Sequence, residues 1–345
     1  MIVSRSHDAA EGFVGGWAGF ALERAYLAAV AWRRARQLTG PRVRPGLPVV
    51  SIGNLSAGGT GKTPCAIWAA RVLESAGVRV AIVARPVGGA VPGAAGDELA
   101  LLAERVPGAL IVAAHSKAEG AAQAAEALRG SGSGTPGVVL VDDGFSHWRL
   151  ARDLDVVLVD AARPIGNGHL LPRGRLREEP TALARADAVI ATRADRVAPE
   201  LLEPTLAALA RLAPQAIVAA AAHVPTGLFD AAGRAIPCAP GERVVCLSGI
   251  ARAGDLAASA RALGLTVVED LCYADHHRFT GRQWRDAETR AHRHGARLVV
   301  SAKDAVRLTA DRRARAAVLE VDWRFLSGEA DVRARLLLVA AKGTA

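Results

Sequence analysis

Gly53-Asn-Leu-Ser-Ala-Gly-Gly-Thr-Gly-Lys-Thr-Pro64 is the stretch on which the reading of this chain turns. It follows an apolar run, Pro48–Ile52, and precedes a helix-forming run, Gly61–Ala76. Glycines at 58, 59 and 61 let backbone N–H groups approach an anion, and the N-terminus of the following helix adds partial positive charge. Lys62 can reach the terminal phosphates of a nucleotide, and the Thr63 hydroxyl can bind Mg2+. Ser56, Ala57, Gly58, Gly59, Thr60, Gly61, Lys62 and Thr63 therefore form the candidate nucleotide cradle. Ser56 occupies the place where the general phosphate-loop pattern has its first glycine, so the strict pattern is not met.

A buried strand ending in carboxylate should accompany such a loop. Val138-Val-Leu-Val-Asp142-Asp143-Gly144 supplies it, at the strand end where open α/β sheets place ligands. Asp142, first after the strand, is the better candidate for the Mg2+ shell; Asp143 is placed to orient the loop, because adjacent side chains on extended backbone diverge. Asp160 ends the next apolar run and reads equally well as a structural cap.

Further outward, strands and helices alternate. Val78–Ala84, Ala109–Ala113, Gly137–Val141, Asp155–Asp160, Ala188–Thr192 and Ala216–Ala222 read as strands, and Asp97–Glu104 and Lys117–Arg129 as helices. Continuous β-branched runs in this alternation predict a P-loop NTPase-like α/β fold, a parallel sheet with helices on both faces. Around Ala231-Ala-Gly233 the pattern changes to a hairpin or linker. Val244–Ser248, a helix over 253–263, Leu265–Glu269, a helix around 281–294 and Leu298–Ser301 then predict a second, smaller α/β lobe. The expected organisation is 1–45 membrane-associating helix and linker, 46–222 phosphate-loop domain, 223–240 hairpin linker, and 241–345 smaller lobe.

The 345 residues are 51% hydrophobic, which excludes a mainly disordered chain and allows two cores. Four cysteines with no CxxC pair argue against a disulfide scaffold or zinc ribbon and for a reducing compartment. Of 43 basic residues, lysine accounts only for 62, 117, 303 and 342, a skew that points to base composition more than to nucleic-acid binding; the net charge of +9 by itself suits nucleic acid, an anionic membrane surface or an acidic substrate. A lysine retained in such a chain points weakly to function, because a compact ammonium differs from a guanidinium. Gly12–Trp32 is mostly apolar but is interrupted by Glu23 and Arg24, so it does not read as a spanning helix. Trp17, Phe20, Tyr26 and Trp32, followed by Arg33, Arg34 and Arg36, suit a helix lying in an anionic lipid interface. An ordinary helix packed on its own domain fits the same pattern. Residues 1–11 lack the features of a signal peptide.

In combination, these segments resemble the tetraacyldisaccharide 4'-kinase family of lipid A biosynthesis. The resemblance runs collinearly over roughly residues 10–310. It is carried by the loop at 53–64, whose first glycine that family also lacks, by Gly96-Asp97-Glu98, and by Asp142-Asp-Gly-Phe-Ser-His147. Gly166-Asn-Gly168, Leu171-Pro172, Leu176-Arg177-Glu178, Pro225-Thr-Gly-Leu228, Ser248-Gly-Ile250, Asp275-His-His277 and Lys303-Asp-Ala-Val306 complete it. The resemblance implies an ATP- and Mg2+-dependent kinase, peripheral at the cytoplasmic face of the inner membrane. Its acceptor would be the 4'-hydroxyl of a tetraacylated glucosamine disaccharide 1-phosphate, its partner surface anionic lipid, with neither nucleic acid nor an obligate protein partner. It also implies Asp97 as the base, paired with His276; Lys62 and Arg177 on the phosphates; and Thr63, Asp142 and Glu178 about the metal. Asp97 also reads as a helix N-cap, Asp275-His276 as a loop pair, and Asn167 as the cap of a Gly-Asn-Gly turn. His147 and Lys303 carry over weakly.

The chain departs from the family pattern at Ala84-Arg-Pro-Val-Gly88, where Pro86 replaces a flexible glycine. It departs again at Ser146, at Pro172-Arg-Gly-Arg-Leu-Arg-Glu178, which carries two extra cations, and at Ser301-Ala302. Two alternatives follow. Thr192-Arg-Ala-Asp195 loosely mimics a guanine-reading motif, which would suit a GTPase or metallochaperone-type switch. The changed acceptor side would suit a membrane-associated binder that has lost the chemistry.

Overall fold

The computed structural model describes residues 16–86, 96–130 and 135–344, and divides into two compact units. The larger comprises the described residues up to Ala222 together with Trp323 onward; the smaller is His223–Asp322.

The larger unit opens with α1 (Gly16–Leu38), then β1 (Val49–Asn54), α2 (Lys62–Ser75), β2 (Arg79–Ala84), α3 (Asp97–Arg105), β3 (Leu110–Ala113) and α4 (Lys117–Gly130). It continues with β4 (Gly137–Asp142), β5 (Leu154–Asp160), β6 (Ala188–Thr192), α5 (Pro199–Leu212) and the start of β7 (Ile217–Phe229). The strands run in the order β3-β2-β4-β1-β5-β6-β7, all parallel, the expected architecture. Side-chain alternation buries both faces. Val50, Ile52, Val138 and Leu140 meet α2, while Val49, Val139 and Val141 meet α4. β1 lies centrally, between β4 and β5, so its C-terminal end delivers the Gly-rich loop beside the carboxylates that end both neighbours.

The smaller unit takes over within β7 and adds β8 (Ala235–Ile236), β9 (Arg243–Ser248), α6 (Asp255–Ala262), β10 (Thr266–Cys272), α7 (Gly281–Arg293) and β11 (Arg297–Ser301). Short helices α8 (Ala302–Ala305) and α9 (Ala310–Ala314) lead to β12 (Ala317–Ser327). β10, β9, β11 and β12 pair in that order, all parallel, and β8 folds back antiparallel on β7. Thr280 starts α7 with a reciprocal capping box to Gln283, the stop signal that separates it from the loop carrying His276.

Two features differ from the expected organisation. β7 is one strand through Ala222 and into the expected linker, because Ala219–Ala222 and Leu228 are buried at both ends of it. Beyond Asp322 the chain rejoins the larger unit and forms α10 (Glu329–Ala341), rather than staying in a lobe that runs to residue 345. Trp323, Val332, Leu336 and Val339 pack into the core against α2 and β1, and Gly328 admits the close approach of Ala219. Residues 131–134, which the sequence reads as a Ser/Gly loop, and Val87 and Gly88 lie outside the described residues.

Candidate active site

The loop after β1 is held from three sides. Arg177 N–H donates to Leu55 O (2.9 Å), Ala57 N–H donates to Arg175 O (2.7 Å), and Ser56 bridges antiparallel to Leu176. Ser56 is thus extended backbone tied to a neighbouring segment, which is why no glycine is required at the place where the general loop has one. Asn54 Nδ2 donates to Gly58 O at 3.2 Å. The third hold comes from Arg193, which is buried, left-handed (φ 54°), and donates through Nη2 to Gly59 O at 2.8 Å. Its Nη1 pairs with Asp160 Oδ2 at 3.1 Å. Asp160 therefore anchors a loop clamp, and Arg193 is occupied there instead of lying over a base as a guanine-reading cation would.

Gly61 caps α2 in the left-handed region (φ 87°) without any side-chain cap, so the first amides of α2 are not covered by a capping side chain. Gly53 serves a different need: a Cβ there would stand 2.6 Å from Phe145 Cβ and 3.1 Å from its backbone N. That close approach, with Asp143 N–H donating to Ile52 O (2.8 Å), brings the Asp142–Phe145 turn against the loop.

The two adjacent aspartates are used differently. Asp142 is buried and its Oδ1 has no hydrogen-bond partner. Burial raises its pKa to about 6, against the opposing pull of Lys62 and Lys117. Asp143, left-handed at φ 53°, receives both of its oxygens' bonds from Arg177 Nη1, at 2.9 and 2.8 Å. Burial works against its ionisation, but Lys62 and Arg177 prevail and hold its pKa below the usual value. Glu178 is buried and spends one oxygen on Ser146 Oγ (2.5 Å) and the other on Arg185 Nη1 (3.0 Å). Arg185 in turn lies over the rings of Phe145 and Trp148, at 4.4 and 3.9 Å from their centroids. Glu178 is thus a fastener of the 145–148 turn. His147 lies within that turn, its pKa lowered to about 4 by burial and then by Lys117 and Arg33.

Among the described residues no three His, Cys, Asp or Glu side chains gather into a ready-made metal site. A Mg2+ that takes most of its ligands from phosphates and water needs only a hydroxyl and one carboxylate, and the orphaned Asp142 oxygen fits that demand. Asp97 is the first residue of α3; Gly96 is the N-cap and no side chain caps the helix, so the cap reading of Asp97 is not realised. Asn167 does close its turn, accepting from His169 N–H and donating to Arg173 O. In the smaller unit, His276 is left-handed (φ 60°), its N–H donates to Gly249 O and Asp275 Oδ1, and Lys303 Nζ stands 3.4 Å from its Nε2. Arg307 and the fully buried Asp304 brace that loop, the former donating to His277 O and Gly249 O. Sequence reasoning passed over Arg185 and read Arg193 only within a loose guanine-reading motif; a basic residue following the strand next to Asp160 was the only local signal for the clamp.

A parallel sheet, a phosphate loop on its central strand, and an aspartate ending the neighbouring strand define a P-loop nucleotide-binding protein. The family model for tetraacyldisaccharide-1-P 4'-kinase matches residues 17–340. The tetraacyldisaccharide 4'-kinase of Anaeromyxobacter sp. (strain K) is 46% identical, over 90% of this chain and 86% of that one. Its counterpart from Hyphomonas neptunium is 38% identical over 81% of this chain and 79% of that one. A crystal structure of LpxK from Aquifex aeolicus in complex with ATP superposes with a TM-score of 0.70 at 23% identity, covering 93% of this chain and 98% of that one, and shows the same fold. The chain belongs to the tetraacyldisaccharide 4'-kinase family.

Proposed function

We infer that this protein transfers the γ-phosphate of ATP to the 4'-hydroxyl of a tetraacylated glucosamine disaccharide 1-phosphate, a step of lipid A biosynthesis. The observation that carries the reading is the family match over 17–340, joined to a phosphate loop that is fully assembled. The loop amides and Lys62 bind the phosphates. Thr63 and Asp142 would hold Mg2+, which supplies charge neutralisation on the phosphate oxygens. Arg177 ties Asp143 to the segment that pairs with the loop, so the loop and the carboxylates are positioned together. Phosphoryl transfer of this kind depends mainly on positioning and charge neutralisation. Asp97 takes the acceptor's proton. His276 belongs to the other unit, and its share in that step is tested by whether His276→Ala adds any loss to Asp97→Ala.

The membrane reading rests on α1. One side of that helix is fixed to the body: Glu23 accepts from Leu170 N–H (2.8 Å), Tyr26 and Leu27 pack on the core, and Gln37 accepts from Trp148 N–H. The other side exposes Trp17 (89%), Trp32 (63%), Phe20 and Leu22, and leads to Arg33 and Arg36. No helix among the described residues is long and apolar enough to cross a membrane. Such a face suits peripheral attachment to anionic lipid at the cytoplasmic side of the inner membrane. Co-sedimentation with anionic vesicles checks it: Trp17→Glu with Trp32→Glu abolishes binding if the face is the contact.

The deciding assay is transfer of radiolabelled γ-phosphate to the tetraacyl disaccharide 1-phosphate in detergent micelles. Wild type transfers label, and Asp97→Ala loses at least about 100-fold in rate while still binding ADP. Equal rates would remove Asp97 from its role. Absence of transfer by a wild type that binds ATP would overturn the kinase reading.

A further inference from the structure

Lys117 is the most deeply buried of the chain's four lysines, 3% exposed, and its Nζ has no hydrogen-bond partner in the structure. An ammonium buried without a partner costs several kcal/mol, in proportions that a folded chain rarely leaves unpaid at a site without a ligand. Its position is enforced. Ser116 accepts from Glu119 N–H and begins α4, so Lys117 is the first helical residue. Gly120, one turn on, is pressed so closely onto β2 and the end of β3 that a Cβ would stand 2.7 Å from Val83 Cγ1 and 2.5 Å from Ala114 Cβ. A register shift of α4 that let the ammonium reach solvent would collide there.

The charges acting on Lys117 identify what it faces. Asp142, Asp143 and Glu98 attract it and Arg85 repels it, while burial favours its neutral form. Asp142 and Asp143 end β4 beside the phosphate loop, and Glu98 adjoins Asp97 in the first turn of α3. Lys117 thus stands on the side of the site away from Arg193 and Asp160. As an ammonium, the residue has donors but no lone pair with which to ligate a cation. Its unmet need is for an anionic or neutral acceptor, and the phosphates of the nucleotide are the acceptors that this site takes.

We propose that Lys117 is a second phosphate-binding lysine, donating to an oxygen of the nucleotide's terminal phosphoryl group from the β4–β2 side while Lys62 approaches from the loop. The assignment rests on the kinase reading. It makes Lys117 a catalytic residue, whose contact exists with a triphosphate and not with a diphosphate. Charge on the transferred group is then met by two ammoniums, with Arg177 kept for Asp143.

The test is binding of ADP and of a non-hydrolysable ATP analogue, each with Mg2+, to the full-length wild type, Lys117→Met and Lys117→Arg, with melting temperatures alongside. In wild type the analogue binds more tightly than ADP. Lys117→Met weakens the analogue about tenfold or more, leaves ADP within about threefold, and does not lower the melting temperature, because an unpaired buried charge has been replaced by an apolar chain. Lys117→Arg recovers most of the discrimination. Equal weakening of both nucleotides, or a lowered melting temperature with discrimination intact, would overturn the proposal and make Lys117 a structural counter-charge to Asp142. If Lys117→Met does not fold, Lys117→Gln and Lys117→Arg decide by the same ratio. Failure of wild type to bind either nucleotide would instead sink the kinase reading on which this rests.

Discussion

Replacing Arg193 by alanine removes bonds that do different work. The donor to Gly59 O, at 2.8 Å, is a charge-assisted bond to the phosphate loop, of a kind that contributes about 1.5–3 kcal/mol. The pair with Asp160, at 3.1 Å, involves side chains only 7% and 18% exposed, so its loss strands a mostly buried carboxylate at a cost of about 3 kcal/mol. Asp160 also accepts from Ala162 N–H, a bond the substitution leaves in place, which puts the cost at the low end of the range for broken buried pairs. The first loss reads out in nucleotide affinity: about 1.4 kcal/mol is tenfold, so Arg193→Ala should bind ADP roughly 10- to 100-fold more weakly. The second reads out in stability. Asp160→Asn separates them, since it leaves the guanidinium on Gly59: the melting temperature falls while ADP affinity changes less than about threefold. Calorimetric titration with ADP and Mg2+, beside thermal unfolding of both variants, measures the two effects. A folded Arg193→Ala that binds ADP within a factor of about two of wild type would refute the clamp.

Gly53→Ala forces a Cβ to 2.6 Å from Phe145 Cβ, so the 142–145 turn must move; a destabilisation of about 1–3 kcal/mol and weaker Mg2+-nucleotide binding are expected by denaturant titration and calorimetry. His147 is held near pKa 4, below its ordinary 6.5. Between those values the unfolded chain binds a proton that the folded one does not, so this group's contribution is full above about pH 6.5 and is lost as pH falls toward 4. His147→Gln should therefore flatten the acid limb of the melting-temperature profile between pH 4 and 6.5, and an unchanged limb would assign the acid sensitivity elsewhere.

The parallel sheet was legible because β1, β4 and β6 are short apolar runs, rich in β-branched residues and ended by Asn, Asp or Thr, a local pattern that burial on both faces requires. β12 was not. Glu320, Asp322 and Arg324 alternate with Leu319, Val321 and Trp323 as in a half-buried strand, but Val321 is exposed, and only the distant partners of Trp323 and Leu336 show where the chain packs after Asp322. At the site, Lys62, Thr63 and Asp142 lie within contiguous motifs whose chemistry can be read locally. Arg193 cannot be read in that way: 134 residues separate it from Gly59, and only the pairing of β5 with β6 brings it to the loop. Lys117 stood out in composition, but its burial beside the carboxylates is a product of α4 packing on β2.

The return of the chain after Asp322 sets an order of events during synthesis. Residues 223–322 emerge from the ribosome between the two parts of the larger core. At about 5–20 residues per second, that interval lasts roughly 5–20 s. Throughout it, the apolar surface that will receive Val332, Leu336 and Val339 has no covering helix, although the phosphate loop and strands β1 to β6 are already made. The nascent chain therefore carries its nucleotide-binding motif well before it can close the core that supports it.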